Sequence, residues 1–318
     1  MFLLDGITGT GNENSSQYVY ATGDNYFSPN DLFFFEVSYG LPFIPATSVG
    51  DHSSDSFCSN SPNNCLDANL NVQYTMSTSP YTPTTFYYDN STDFIVSWIV
   101  KVLTLPSIPN VILISYGVDE STITYAHKNS FDAAAKALAV MGVTIVVRSG
   151  DDGAPGTTAA LGVAHCSYAP IWPASSPYVL VVGATQGPEI GSQEVTCASN
   201  AGGLITSGGG FSNLYEQPSW QADAVNDYFD AVIGSVKEPS PGYNASGRAY
   251  PDISMIGANF LTIVGNDFVF QYSTASYHVI AIFIVIVIVV VVLFTLSILL
   301  TRYVFVFFSL GRRPWSAE

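Results

Sequence analysis

Three short, nearly continuous apolar runs constrain this chain more than anything else in it: Val111-Ile-Leu-Ile114, Val143-Thr-Ile-Val-Val147 and Val179-Leu-Val-Val182. A strand with one wet face alternates apolar and polar residues, whereas a strand without alternation is covered on both faces. Between the first two runs lies an Ala-rich segment, Ser130 to Met141, which reads as a helix with Ser130 as its cap and Gly142 as its stop. Buried strands separated by helices are the pattern of a parallel sheet flanked by helices, so the expected fold class is α/β.

The stretch before these runs fits the same class. Ser28 as cap, Pro29 at the first helical position and Gly40 at the end predict a helix over 28–40. A polar Ser/Asn/Asp loop is expected over 46–64, a short helix from Leu66 to Met76, a Pro/Thr-rich connection from Ser79 to Thr85, and a helix within Asp93 to Leu103. Of the 318 residues, 48% are hydrophobic and 14% aromatic, enough to fill a core and to exclude disorder as the default. Only 9 residues are Lys or Arg against 25 Asp or Glu, a formal net charge of −16. Phosphate binding needs clustered cations, so nucleic acid is excluded as a partner.

From Val279 to Leu300 the chain runs 22 residues without a charge, rich in Val, Ile, Leu and Phe. A hydrocarbon core about 30 Å thick needs about 20 helical residues, which predicts one transmembrane helix over 279–300. Arg302, Arg312 and Arg313 follow it, and no Lys or Arg lies between Arg248 and Leu300, so residues 301–318 are expected as a short cytosolic tail. The N-terminal part would then be lumenal (lysosomal or vacuolar) or extracellular. Met1-Phe-Leu-Leu4 is too short for a signal peptide, which leaves a missing start or a tail-anchored cytosolic domain as the ways to account for it. Three glycosylation sequons, at Asn14, Asn90 and Asn244, favour the lumenal side. Four cysteines, Cys58, Cys65, Cys166 and Cys197, fit two disulfides with three possible pairings, and Cys58 with Cys65 is the first expected.

Ligands of open α/β sheets bind outside the carboxyl ends of the strands. Two segments fall at such ends: Ser115-Tyr-Gly117, and Arg148-Ser-Gly-Asp-Asp-Gly-Ala154, which sets two carboxylates in a Gly-flanked turn. Gly208-Gly-Gly210 is a further loop with exposed backbone, and no phosphate-binding Gly motif follows a strand.

Seven segments in order carry a resemblance: Tyr26-Phe-Ser-Pro-Asn-Asp-Leu32, Ala68-Asn-Leu-Asn-Val-Gln-Tyr74, Ile114-Ser-Tyr-Gly117, Ser149-Gly-Asp-Asp-Gly-Ala154, Pro173-Ala-Ser-Ser-Pro-Tyr-Val179 with Gly183-Ala-Thr185, Gly209-Gly-Phe-Ser212 and Tyr250-Pro-Asp-Ile253. Together they resemble the sedolisin family of serine-carboxyl peptidases over residues 18–265. The resemblance implies a subtilisin-like parallel sheet within a peptidase domain spanning 1–276, incomplete at its C-terminal side. It also implies peptide or protein substrates cleaved at acid pH, as an endopeptidase or a tripeptidyl peptidase. None of His52, His127, His165 and His278 has the Gly-rich context of the subtilisin base.

In that family a Ser nucleophile is activated by a Glu, an Asp four positions on orients the Glu, and a further Asp helps form the oxyanion hole. Asp151 matches the oxyanion Asp. The Glu and Asp positions fall on Asp67 and Asn71, which share one helical face at a spacing of four. Asp67 is one methylene short, about 1 Å, and displacement on that scale can cost about 10²-fold in rate. Asn71 cannot ionise. At the nucleophile position the chain reads Phe270-Gln-Tyr-Ser-Thr-Ala-Ser276, with Ser273 and Ser276 the nearest hydroxyls. The resemblance further implies that Ser115, Tyr116, Gly117, Gly209 and Gly210 bind substrate. The family's calcium loop falls beyond these segments, so no cofactor is expected here. The expected function is a family member with impaired catalysis. Its alternative is a membrane-anchored inactive relative that binds peptides or a partner, or a mis-assembled gene product.

Overall fold

The computed structural model describes residues 15–273 apart from residues 94, 158–167 and 236–238. Its first half comprises β1 (Gln17–Ala21), α1 (Pro29–Tyr39), β2 (Thr47–Val49), α2 (Asp55–Asn60), α3 (Leu66–Thr78), β3 (Thr84–Tyr88) and α4 (Val96–Val102). Next come β4 (Val111–Ile114), β5 (Val118–Asp119), α5 (Tyr125–Val140), β6 (Thr144–Arg148), β7 (Ile171–Trp172), β8 (Leu180–Gln186) and β9 (Val195–Thr196). The last described elements are β10 (Gly210–Glu216), α6 (Ala222–Val232), β11 (Gly247–Tyr250), β12 (Ile253–Ile256), β13 (Phe260–Val264) and β14 (Asp267–Gln271).

The three apolar runs form β4, β6 and β8, at the centre of a sheet ordered β12-β8-β6-β4-β1-β3-β2 with β9 against β8. Every pair along that path is parallel. The lack of alternation has the expected cause. Ile112, Ile114, Ile145, Val147 and Val181 pack on one face with Trp98 and Ile99 of α4 and Phe131, Ala135 and Leu138 of α5. Val19, Leu113, Val146 and Val182 pack on the other with Leu32 of α1 and Ala68, Leu70 and Val72 of α3. The α/β sheet is therefore covered by helices on both sides.

Helix α1 follows its sequence signals: the Ser28 hydroxyl accepts from the Asp31 amide, and Gly40 closes the helix at φ 64°. Elsewhere the boundaries move. The segment 46–64, expected as a loop, holds β2, α2 and a 3-10 turn over Pro62–Cys65. Ser54 caps α2 by accepting from the Phe57 amide, so this Ser opens a helix rather than a loop. Helix α5 begins at Tyr125, five residues before Ser130, because the Thr124 hydroxyl takes the His127 amide. Strands β1 and β3 are additions to the sequence reading. The transmembrane helix expected over 279–300 and the tail 301–318 lie outside the described residues, among which no helix is long and apolar enough to cross a membrane.

Cys58 and Cys65 form the first-expected disulfide, with an S–S length of 2.04 Å. Cys197 is a buried free thiol that donates to the Ile205 carbonyl at 3.7 Å, so the second bridge is not made there; Cys166 lies outside the described residues. Burial pushes the Cys197 thiol up to about 11. The sequons differ too: Asn90 is exposed, whereas the Asn244 amide donates to the Ser212 carbonyl at 2.8 Å, and Asn14 lies outside the described residues.

One buried carboxylate ties α1, α3 and the β13–β14 hairpin together. Asp31 accepts from Asn69 Nδ2 at 2.8 Å and from the Gly265 and Asn266 amides, both at 2.8 Å. Beside it, Gln73 accepts from the Ile263 amide at 3.0 Å and donates to the Ile263 carbonyl at 2.7 Å. Asp31→Ala leaves three donors without that acceptor. It is expected to lower stability by about 3 kcal/mol, read as a fall in the urea midpoint with an unchanged m-value.

Candidate functional site

The strand order reverses beside β1: β3 and β2 extend one way, and β4, β6, β8 and β12 the other. Such a reversal opens a crevice at the carboxyl ends of the strands. Helix α3 presents Asn71 there, fully buried, and the Ser115 hydroxyl just beyond β4 donates to Asn71 Oδ1 at 2.8 Å. Asp67, one turn earlier on α3 and half-buried, lies on the same face. The chain returns to this turn at the end of β14, where Gln271 Nε2 donates to the Leu66 carbonyl at 3.3 Å. Ser273 then donates its amide to the Gly257 carbonyl at 3.0 Å, beyond the carboxyl end of β12. Ser273 is buried, and Ser276 lies outside the described residues.

Asp151 occupies the turn after β6. Its Oδ2 accepts from Arg148 Nη1 at 2.7 Å, an ion pair with both partners about one-quarter exposed. Arg148 had no role in the sequence reading. Its signal was there, a lone cation at the end of an apolar strand three residues before a carboxylate. Gly117, Arg148, Gly150, Asp151, Gly153 and Ile171 line a small crevice.

Asp67 feels this turn. Its carboxyl is raised above the ordinary aspartate value, first by desolvation and then by the negative charge of Asp151, while Arg148 pulls it down. Arg148→Ala removes the one lowering influence, so Asp67 is expected to titrate still higher and the acid limb of any Asp67-dependent activity to move to higher pH. A pH–rate profile of the variant beside the parent checks the direction.

The expected substrate-binding residues divide into two groups. Ser115 is committed to Asn71, the Tyr116 ring packs edge-on against Tyr20 at 5.8 Å, and Gly117 is wedged against Ile171 and Trp172. A Cβ on Gly117 would meet Ile171 Cγ2 at 2.4 Å, so this segment offers backbone rather than side chains. Gly209 and Gly210 open β10 and are joined to the Asp151 turn through Gly208, whose amide donates to the Gly150 carbonyl at 2.6 Å. Only Gly fits at 208, because a Cβ would stand 2.2 Å from the Ser149 carbonyl oxygen. His52 is stacked between Tyr26 and Tyr88 and bonded to Asp51 at 2.7 Å. Among the described residues no group of three or more His, Cys, Asp or Glu is placed to hold a metal ion.

No protein-family model matches the chain. Among curated proteins it is similar to tripeptidyl-peptidase 1 of Dictyostelium discoideum, 34% identical over 255 residues, which are 78% of this chain and 38% of that protein. It is also similar to tripeptidyl-peptidase 1 of Homo sapiens, 31% identical over 260 residues, 80% of this chain and 44% of that protein. The chain thus spans less than half the length of these relatives. Among solved structures, a Pseudomonas sedolisin (serine-carboxyl proteinase) complexed with two molecules of pseudo-iodotyrostatin matches with a TM-score of 0.59 and 22% identity, over 82% of this chain and 71% of that one. Along about 80% of its length the chain is homologous to the tripeptidyl-peptidase 1 proteins, and it shares the α/β fold of a sedolisin.

Proposed function

We propose that the chain is a serine-carboxyl peptidase of the sedolisin family, a hydrolase of peptides in acid, whose acid pair is weakened. The observation that carries this is α3, which sets Asp67 and Asn71 one turn apart at the strand ends where Ser115 and Asp151 also lie. In this reading Asp67 is the base that takes the proton of an attacking Ser hydroxyl. The Asp67 carboxyl is raised above the ordinary aspartate value by burial and by Asp151, the direction that makes a carboxylate a better proton acceptor. Asp151 and the backbone of its turn face the oxygen of the carbonyl under attack, where a donor stabilises developing charge. Asn71 holds the place of the second acid but cannot accept the shared proton. Its oxygen is already occupied by Ser115, so it fixes geometry without supplying a charge.

Ser273 and Ser276 are the hydroxyls proposed at the nucleophile position. The reading places residues 1–276 on the lumenal or extracellular side of a membrane anchored through Val279 to Leu300. The Cys58–Cys65 disulfide and the exposed Asn90 sequon support that side. The Asn71–Ser115 bond also favours a second reading, a membrane-anchored relative that binds peptides or a partner without cleaving them. Incubation of the intact chain with a fluorogenic tripeptide at pH about 4 to 5 tests the two. Slow turnover abolished by the double variant Ser273→Ala, Ser276→Ala is the expected result. Turnover that survives both changes contradicts a Ser mechanism here, and no turnover with retained peptide binding favours the second reading.

A further inference from the structure

The β13–β14 hairpin has one closed face and one open face. Its two strands form a sheet of their own. Gln73 closes the outer edge of β13 by bonding both the amide and the carbonyl of Ile263. Val264 and Val269 close one face by packing over Cys58 and Cys65. Successive strand residues point to opposite faces, so Phe268 and Phe270 project from the other face, opposite Ile263 and Leu261. These two rings are 57% and 65% exposed. Helix α1 is fastened to the same hairpin at both ends, Asp31 to the Gly265 and Asn266 amides and Tyr39 to the Leu261 carbonyl at 3.1 Å. It too leaves rings wet: Phe33 and Phe34 are exposed, with Phe43 edge-on to Phe33 at 5.1 Å.

The onward course of the chain narrows the occupant. Ser273 lies six residues before Val279, a reach of at most about 20 Å. The run from Val279 to Leu300 is apolar all round, so a single hairpin offers too little surface to cover it, whereas a bilayer covers it entirely. An anchor there holds the hairpin beside the lipid headgroups. Between Gly257 and Tyr277 the only charged residue is Asp267, and Tyr272 and Tyr277 lead into the run. Rings without cations suit a membrane–water interface and a neutral lipid, not electrostatic adsorption to an anionic one.

We propose that Phe268 and Phe270 rest in the lipid interface beside the anchor and hold this face of the domain against the membrane. The inference rests on the reading of Val279 to Leu300 as a membrane segment, and adds a second lipid contact that an anchor alone does not require.

The intact 318-residue chain in phosphatidylcholine vesicles, with Phe270→Trp as the reporter, tests this. Lipids brominated along the acyl chain quench nearby tryptophan, and subtracting the parent's emission isolates the new ring. A ring seated about 5–10 Å into the interface is expected to lose about half its emission. Tyr125→Trp, at an exposed site on α5 across the sheet, is expected to lose little. Adding Phe268→Ser to the reporter is expected to weaken the quenching. Raising the salt from about 0.1 to about 1 M, which shortens the Debye length to about 3 Å, is expected to leave it unchanged. No quenching at position 270, equal quenching at both positions, or quenching lost with salt overturns the proposal. An unquenched but blue-shifted emission marks a cover of protein, from residues 279–300 or a second copy, and also overturns it. Alkaline carbonate extraction reads the anchor separately. A chain that resists extraction without quenching at position 270 keeps the anchor and removes the hairpin contact, and an extractable chain that is quenched there does the reverse.

Discussion

Restoring the acid pair, by Asp67→Glu together with Asn71→Asp, is expected to raise tripeptide turnover at pH about 4.5 by about 10²-fold. In the proposed mechanism two separate deficits are corrected. The longer side chain recovers about 1 Å of reach toward the attacking hydroxyl, and a change on that scale is worth about two orders of magnitude. The new carboxyl at position 71 supplies an acid that can share a proton with its neighbour one turn away, as Asn71 cannot. Ser115 donates to Asn71 Oδ1 at 2.8 Å, and a carboxylate oxygen in the same place accepts that bond equally well, so the fold tolerates the change. Either substitution alone is expected to give less than the pair. An unchanged rate in the double variant would contradict the proposal that positions 67 and 71 form the acid pair.

The second large effect concerns stability. Glu36 on α1 is 3% exposed; one carboxyl oxygen accepts a long bond of 3.4 Å from the Ile44 amide, and the other has no hydrogen-bond partner among the described residues. Desolvation pushes the group up from 4.5 to about 7, with the Ile44 amide opposing. At pH below 4.5 the folded and unfolded chains are both protonated at this site, so it costs nothing. Between 4.5 and about 7 the unfolded chain gives up the proton while the folded chain keeps it, and stability falls as pH rises. At about 1.4 kcal/mol per unit, the full loss by neutral pH is on the order of 3 kcal/mol. Urea midpoints at pH 4.5 and 7.5 are expected to differ accordingly in the parent and to converge in Glu36→Gln. The same loss in both proteins would assign the pH dependence to other groups. The direction suits a domain that works in acid.

The sheet centre and its flanking helices were legible because burial writes itself into the sequence. Val111–Ile114 is a strand end for end, and Ser28, Pro29 and Gly40 mark α1 through a cap bond, a fixed φ and a left-handed stop. Strand β1 was missed because Gln17 and the four tyrosines of β1 and β3 dilute the apolar signal; Tyr20 and Tyr87 are covered only once α4 packs on them, through Trp98 at 4.4 and 5.7 Å. The start of α5 was missed because two cap residues compete, and Thr124 rather than Ser130 has an amide three positions on that its hydroxyl reaches. At the candidate site, Asp67, Asn71 and Asp151 were singled out through motif order. The Asn71–Ser115 bond was not, because it depends on where α3 meets the loop after β4, and the Arg148–Asp151 pair, only three residues apart, was not read as a pair.

The central claim is that Asp67, carried by α3, and Asp151, after β6, belong to one electrostatic centre. The ¹³C titration of the Asp67 carboxyl in the parent and in Asp151→Asn tests it without relying on activity. The account predicts that Asp67 titrates above an ordinary aspartate, and that removing the Asp151 charge brings it down. An Asp67 that titrates normally and ignores the substitution at position 151 would show that the two carboxyls do not share a site.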